Sequence, residues 1–378
     1  MTLDFKERIK AFSELGTLFK ENIDKKEDKN FPKWDLLLED TLIESKTYNS
    51  WFTIDNLKLS LKNWSKSLEE TIISDWLFRY NVVDKSSKKI AIIMAGNIPV
   101  VGFHDLLCSL LLNFDCLVKL SSDDKLLIPF IVKFLESRNK KFKNKVIFEN
   151  EKFKNFDGVI ATGNNNSHRY FDYYFSKYPN LLRKTRHSIA VLDGNESDND
   201  LTGLSNDVFN YFGLGCRSVS KVFLPRGYDL DILFNAFFSF KEIINHNKYV
   251  NNFDYNKAVY LMSKEKFIEN GFLILKEETK LGSPIGCLFY EFYDNKEDIN
   301  KLILKNSDSI QCVASNLNLK TNIQFGQTQC PNISDYADNN DTIKFLLKIW
   351  WYLNLGTIFD INLITNFDTF KIHEKTQL

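Results

Sequence analysis

From Lys89 onward the chain alternates short, uninterrupted apolar runs with helix-spaced ones, and that alternation restricts the fold more than any other feature. "KIAIIMAG", "CLVKL", "KVIFEN", "FDGVIATG" and "HSIAVLD" are of strand length and mostly rich in β-branched residues, as strands covered on both faces tend to be. Between them the pattern predicts a helix with Leu106, Leu107, Leu110 and Leu111 on one side, a helix over Leu126 to Leu135, and a helix over Ser167 to Phe175. Strands alternating with helices at this spacing predict an α/β fold with a mainly parallel, doubly wound sheet. Before Lys89 the chain reads as helical. "SLKNWSKSLEETIISDWLFRY" sets Leu61, Trp64, Leu68, Ile72, Trp76 and Leu77 near one helical face. After about Asp193 a second block begins, with a helix at "LSNDVFNYFGLG", a strand at "SKVFLP", and strands expected at "KAVYLM" and "GCLFYEFY". From Tyr336 a helix ("DTIKFLLKIWWYL") and a short strand return. With 378 residues the chain exceeds one simple core. The expected units are a helical region (1–88) packed on a first α/β domain (89–192), a second α/β domain (193–335) and a return segment (336–378), with a cleft between the two domains.

A doubly wound sheet binds ligands beyond the carboxyl ends of its strands, where strand order reverses. Three polar or glycine-bearing turns fall at such ends: "AGNIP", "KLSSDD" and "ATGNNNS". No G-x-G-x-x-G fingerprint or P-loop accompanies them. The second block carries "NYFGLGCRSVSKVFLP", which places Cys216 behind Gly213 and Gly215 at the mouth of a strand. The glycines permit close approach of another group, and the adjacent Arg217 would favour the thiolate, which is the nucleophilic form. Cys108 and Cys116 lie in apolar settings and read as core residues. Cys330, His168 and His187 read as structural. Asp105 complements the dipole of a helix start, and His104 beside it is a candidate proton donor to the cleft.

Composition excludes several function classes. Lys plus Arg equals Asp plus Glu at 49 each, so no overall field favours nucleic acid or an anionic membrane. Six scattered cysteines form no disulfide framework or metal-ligand spacing, and the N-terminus lacks the apolar stretch of a signal peptide. Ile343 to Ile364 is apolar but interrupted by Lys348, Asn354, Gly356 and Asp360, so a membrane span is not expected. A cytoplasmic protein without a metal is the expectation.

These elements, in this order, resemble the aldehyde dehydrogenase superfamily, and in particular its LuxC-like branch of acyl-CoA reductases. The similarity runs from about Lys89 to about Leu347. "FGLGC" followed by "SKVFLP" is similar to the family's "G-Q-x-C" and strand, which implies that Cys216 is the catalytic nucleophile. "GNIP" matches "W-N-F-P" and implies an oxyanion-hole role for Asn97. "KLSS" matches "K-P-S-E", which implies Lys119 and Ser121 beside the adenosine ribose, with Ser122 where NAD-preferring relatives carry a glutamate. "ATGN" matches "F-T-G-S" and implies that Gly163 approaches a cofactor pyrophosphate. "FGQTQCP" followed by "YADNNDTIKFL" is similar to the LuxC-like branch specifically. The first α/β domain would then bind the nucleotide and the second would carry the nucleophile.

Two departures shape the expected chemistry. The family's "E-L-G-G-K", whose glutamate activates water, is replaced by "LRKTRH", and "E-I-F-G-P" is replaced by "KLGSP". The resemblance therefore implies a reductase that turns an acyl thioester, from acyl-CoA or an acylated protein, into an aldehyde with NADPH, or with NADH. An acyl-protein synthetase partner and a homo-oligomer are compatible with it. The alternatives are an oxidative aldehyde dehydrogenase and a non-catalytic acyl-carrying subunit of a fatty acid reductase complex.

Overall fold

The computed structural model describes residues 3–80, 82, 88–319 and 322–354. Four helices come first: α1 (Leu3–Ile23), α2 (Pro32–Tyr48), α3 (Ile54–Ser67) and α4 (Glu70–Phe78). The long helical pattern of the sequence is thus two helices. The break at Leu68 and Glu69 resets the buried face, so Ile73 is buried and Ile72 is exposed.

The first sheet contains β1 (Lys89–Ile93), β2 (Asp115–Lys119), β3 (Val146–Phe148), β4 (Gly158–Thr162) and β5 (Asn180–Arg183), ordered β3-β2-β1-β4-β5 with every pair parallel. Helices α5 (Phe103–Leu111), α6 (Leu127–Arg138) and α7 (Asn165–Phe175) connect them. The chain winds outward through β2 and β3, then crosses β1 to build β4 and β5. Strand order therefore reverses between β1 and β4, and a crevice opens at their carboxyl ends.

Only Lys184 to Arg186 separate β5 from the second sheet. That sheet is built from β6 (His187–Val191), α8 (Asp198–Phe209), β7 (Val219–Pro225), α9 (Leu230–Phe237), α10 (Asn247–Met262), β8 (Ile268–Glu269), β9 (Ile274–Glu277), β10 (Cys287–Tyr293), α11 (Lys296–Lys305) and β11 (Ile310–Ala314). Its order is β11-β6-β7-β10-β9-β8, parallel except between β8 and β9. "KAVYLM", expected as a strand, is the last part of α10. A short apolar run fits either element, and here the helix begins ten residues earlier, at a His246 cap that accepts from the Tyr249 N–H.

Helices α1 to α4 share one core with α5, α6 and the inner strands of the first sheet. Phe12 lies within 6.3 Å of Phe103 and 5.6 Å of Phe142, ring centre to ring centre. The return helix α12 (Thr342–Asn354) joins this core through Ile343, Leu346 and Ile349. Gly158 makes room for it, since a Cβ there would lie 2.4 Å from the Ile349 Cδ1. The strand expected after α12 falls outside the described residues. Among the described residues, no helix is long and apolar enough to cross a membrane.

Candidate active site

Helix α8 aims the segment that carries Cys216. Its start is held by a reciprocal cap, in which the Ser197 side chain accepts from the Asp200 N–H and the Asp200 carboxylate accepts from the Ser197 N–H. At its other end Tyr211 (φ 55°) and Phe212 (φ 58°) both take left-handed backbone, which is costly for residues with a Cβ. Neighbours hold the turn in place. The Tyr211 N–H donates to the Asn56 Oδ1 at 3.2 Å. The Phe212 ring packs on Trp51 (5.1 Å) and His246 (4.4 Å). The chain then passes through Gly213 (φ 75°) and reaches Cys216, just before β7.

The loop that carries Cys216 is tied on every side. The Asn97 amide donates to the Leu214 carbonyl at 2.7 Å, so the turn after β1 grips the loop directly. The Ser188 hydroxyl donates to the Cys216 carbonyl at 2.9 Å, and the Gln329 amide donates to the Ser218 hydroxyl at 3.0 Å. Gln329 belongs to "FGQTQCP", and buried Asp207 of α8 holds that strap by accepting from the Gly326 N–H, the Thr328 N–H and the Thr328 hydroxyl. Burial outweighs these bonds and pushes the Asp207 carboxyl up to about 6.

Cys216, Asn97, Lys119, Ser121, Ser122 and Gly163 all line one cleft of about 910 Å³. It lies between the carboxyl ends of the first sheet and the amino ends of β6 and β7. Sequence reasoning thus named residues from four separate segments that the fold brings together. Gly163 owes its missing side chain to packing, because a Cβ there would lie 2.8 Å from the Ser167 Cβ and 2.9 Å from the Phe171 ring. At the Lys119 end, Gly96 lets Ser121 press against the turn after β1, where a Cβ would sit 2.5 Å from it. The Lys119 ammonium and the Ser122 hydroxyl have no protein partner among the described residues and are exposed.

Electrostatics correct one expectation. Cys216 is open to the cleft, but the surrounding wall pushes its thiol up to about 11, with Arg217 the main opposing influence. The Arg217 guanidinium, which also donates to the buried Cys312 sulfur at 3.2 Å, does favour the thiolate, but burial outweighs it.

The replaced segment "LRKTRH" is structural at its arginines. Arg183 grips the Asp105 carboxylate with both Nη atoms (Nη2 to Oδ1, 2.8 Å), and Arg186 pairs with Asp338 at 3.2 Å. Asp105 therefore does more than complement a helix dipole. His104 is half-buried, its pKa is lowered by desolvation, and its Nε2 is bonded to the Ile333 carbonyl at 2.8 Å, so it is not a free proton donor. The His187 ring occupies space that Gly282 leaves open, 2.1 Å from where a Cβ would be, and burial lowers its pKa.

Sequence reasoning missed Asp123, Ser188, Cys312 and Gln329. Asp123 had a readable signal, being an exposed carboxylate beside Ser122 at a strand end. The others are adjacent to Cys216 only in space.

The two sheets, the cleft between them and the cysteine loop define the aldehyde dehydrogenase fold. Aldehyde dehydrogenase 21 from Physcomitrella patens, solved with its product succinate, superposes with a TM-score of 0.61 at 9% identity, over 91% of this chain and 84% of that one. The indole-3-acetaldehyde dehydrogenase of P. syringae, solved as a mutant with NAD+ and IAA, gives 0.59 at 10% identity, over 90% and 78%. An aldehyde dehydrogenase from Bacillus cereus in complex with NAD+ gives 0.53 at 13%, over 83% and 72%. The particular family follows from the sequence. Residues 3–232, more than half of the 378, match Acyl-CoA reductase (LuxC), and the chain belongs to that family. It is thus an oxidoreductase acting at the acyl-CoA and aldehyde level. No curated protein sequence matches it.

Proposed function

We propose that the chain reduces an acyl thioester, such as a fatty acyl-CoA, to an aldehyde through an acyl-Cys216 intermediate, with a reduced nicotinamide cofactor. The observation that carries this reading is the hydrogen bond from Asn97 to the loop that bears Cys216, inside one cleft. The Cys216 sulfur adds to the acyl carbonyl, the bond to the CoA sulfur breaks, and the proton lost by Cys216 leaves with the CoA thiol. One Asn97 N–H is engaged by Leu214, and the second is available to the oxyanion together with the Cys216 N–H. A bound reduced nicotinamide supplies the hydride that converts the acyl group to the aldehyde level. Breaking the carbon–sulfur bond then releases the aldehyde, and Cys216 takes up a proton.

A nicotinamide dinucleotide fits the other end of the cleft. Lys119 and Ser121 would hold its adenosine ribose, and the open ends of β1 and β4, with Gly163, would face its pyrophosphate. Lys119 favours a 2′-phosphate and Ser122 does not repel one, so NADPH is accepted at least as well as NADH, although Asp123 opposes it. The carboxylates Asp105 and Asp338 are held by arginines. Of the other carboxylates lining the cleft, Asp335 accepts from the Asn332 N–H and side-chain amide, and Asp123 lies at the Lys119 end. With none of them acting as a base, water attacks the acyl-enzyme slowly, whereas a thiol needs little help.

The test is to supply acyl-CoA alone, follow label on Cys216 by mass spectrometry, and then add NADPH. The expected result is stable acyl-Cys216 that converts to aldehyde on addition of cofactor and is absent in Cys216→Ala. Rapid loss of label as free fatty acid would favour an oxidative dehydrogenase, with His187 as the overlooked base. Stable label that NADPH does not reduce would favour an acyl-carrying subunit.

A further inference from the structure

The cleft has a second arm, away from Lys119, whose wall is the N-terminal helix α3. Ser60, Asn63, Trp64 and Ser67 of α3 line the same cleft as Cys216. Asn56, Ser60 and Asn63, spaced for one helical face, each bond to a different loop of the site. Asn56 accepts from the Tyr211 N–H of the nucleophile loop (3.2 Å), Ser60 donates to the Pro99 carbonyl of the oxyanion turn (3.2 Å), and Asn63 donates to the Gln329 carbonyl of the strap (2.8 Å). The opposite walls contribute Ile98, Val101, Pro331 and Ile333.

This arm differs chemically from the Lys119 end. Its polar groups are already satisfied by each other: Ser60 by Pro99, Asn63 by Gln329 and Cys330, and His104 by Ile333. A ligand entering here meets apolar side chains and polar groups that are largely engaged, so an aliphatic chain is favoured and a polar one loses its hydration uncompensated. From Ser60 to Ser67 the helix wall runs about 10 Å, room for an acyl chain of medium length. The Trp64 indole, edge-on to Phe103 at 4.7 Å, is the bulkiest group of α3 on this wall.

We infer that the arm between α3, the Asn97–Val101 turn and the Gln329–Ile333 strap takes the aliphatic chain of the substrate, and that Trp64 sets the chain length it admits. This rests on the proposed acyl-Cys216 chemistry and concerns the length of the acyl chain that chemistry accepts. Trp64 acts on specificity and takes no part in bond making.

Two variants with opposite effects test it. Trp64→Ala enlarges the arm, and Ser67→Phe, near the surface end of α3, narrows it. Each is assayed with butyryl-, octanoyl-, dodecanoyl- and palmitoyl-CoA for kcat/KM, for the rate of Cys216 acylation without cofactor, and for the KM of NADPH. Trp64→Ala should raise the palmitoyl-to-octanoyl ratio of kcat/KM at least about tenfold, and Ser67→Phe should lower it by a similar factor, the scale on which apolar pockets discriminate chain length. The KM of NADPH should stay unchanged in both. Folded variants with the wild-type chain-length profile would overturn the assignment of the arm while leaving the chemistry standing. If no acyl-CoA of any length acylates Cys216 in the wild type, the chemistry itself fails, and the arm's assignment with it. A Trp64→Ala protein that does not fold leaves Ser67→Phe to decide, since Ser67 is the last residue of α3 and partly exposed.

Discussion

The two ends of the cleft are held in opposite ways. Around Cys216 the backbone is fixed by bonds from Asn97, Ser188, Gln329 and Asn56, contributed by segments far apart in the chain. At the carboxyl end of β2, Lys119 and Ser122 are exposed and without protein partners among the described residues. Under the proposed chemistry the difference has a physical reason. An oxyanion is stabilised only by donors already in place when charge develops, since reorganisation at that moment would consume the gain. A cofactor that must bind and leave each cycle is better met by side chains that it orders itself. Rigidity here belongs to the reacting atoms, and adaptability to the dissociable partner.

The largest effect that would break this comparison concerns the thiol. Burial raises the Cys216 pKa to about 11, so at neutral pH the resting enzyme holds the thiol and not the thiolate. Because the pKa lies above the ordinary value, the thiolate fraction grows about tenfold per pH unit through and beyond the region near 8.5 where an ordinary thiol levels off. Alkylation of Cys216 by iodoacetamide, followed by peptide mass spectrometry, should therefore still be climbing at pH 9. A plateau below pH 8 would mean that Arg217 outweighs burial at Cys216. The next largest effect is at Asn97. Asn97→Ala removes the loop tie and the oxyanion donor together, and kcat/KM should fall on the order of a hundredfold or more, the usual cost of one such donor. An unimpaired variant would show that the tie is structural and the donor unused.

How much of this was readable in the sequence varies with the sheet. In the first sheet β1, β2 and β4 are continuous apolar runs buried on both faces, and their turns carry the polar residues, so both strands and turns were legible. In the second, β9 ("ILKE") and β11 ("IQCVA") are short and include polar or charged residues, and β5 of the first sheet ("NLLR") ends in an arginine buried against Asp105. Nothing local marks them as strands: Arg183 finds its partner in Asp105, 78 residues away, and Lys276 is held by Glu265 and Glu278. The site follows the same rule. Cys216 and Asn97 announce themselves through glycine and turn chemistry, whereas Gln329, Ser188 and Cys312 become part of the site only once β6, β7 and β11 lie side by side. Arg217 acts on Cys216 in the direction its position in the sequence implied, but its second contact, the Cys312 sulfur 95 residues away, was not readable there.

At the open end, expected effects are smaller because solvent screens them. Ser122→Glu should move preference toward NADH by about 1 to 2 kcal/mol, the scale of a partly screened like-charge contact with a 2′-phosphate. Asp123→Asn should move it the other way by a similar or smaller amount. The ratio of kcat/KM for NADPH and NADH measures both, and raising the ionic strength should shrink both shifts. If neither substitution alters the ratio, the ribose does not lie at the end of β2, and the contrast between the two ends of the cleft loses its functional reading.

The smallest effect separates the frame from the site. Ser197 caps the end of α8 remote from Cys216, and the 12-residue helix between is about 18 Å long. Its side chain accepts from the Asp200 N–H, and Asp200 returns the bond to the Ser197 N–H, so Ser197→Ala breaks the side-chain half of a reciprocal cap. Losing a cap of this kind costs about 1 kcal/mol of stability. If Asn97, Asn56 and Ser188 fix the Cys216 loop locally, that loss should appear in the urea midpoint while kcat/KM and the rate of Cys216 acylation stay at wild-type values. A variant of unchanged stability and slower acylation would mean that α8 carries strain from its cap into the Tyr211–Phe212 turn. The rigidity around Cys216 would then be a property of the whole helix and not of its bonds at the cleft.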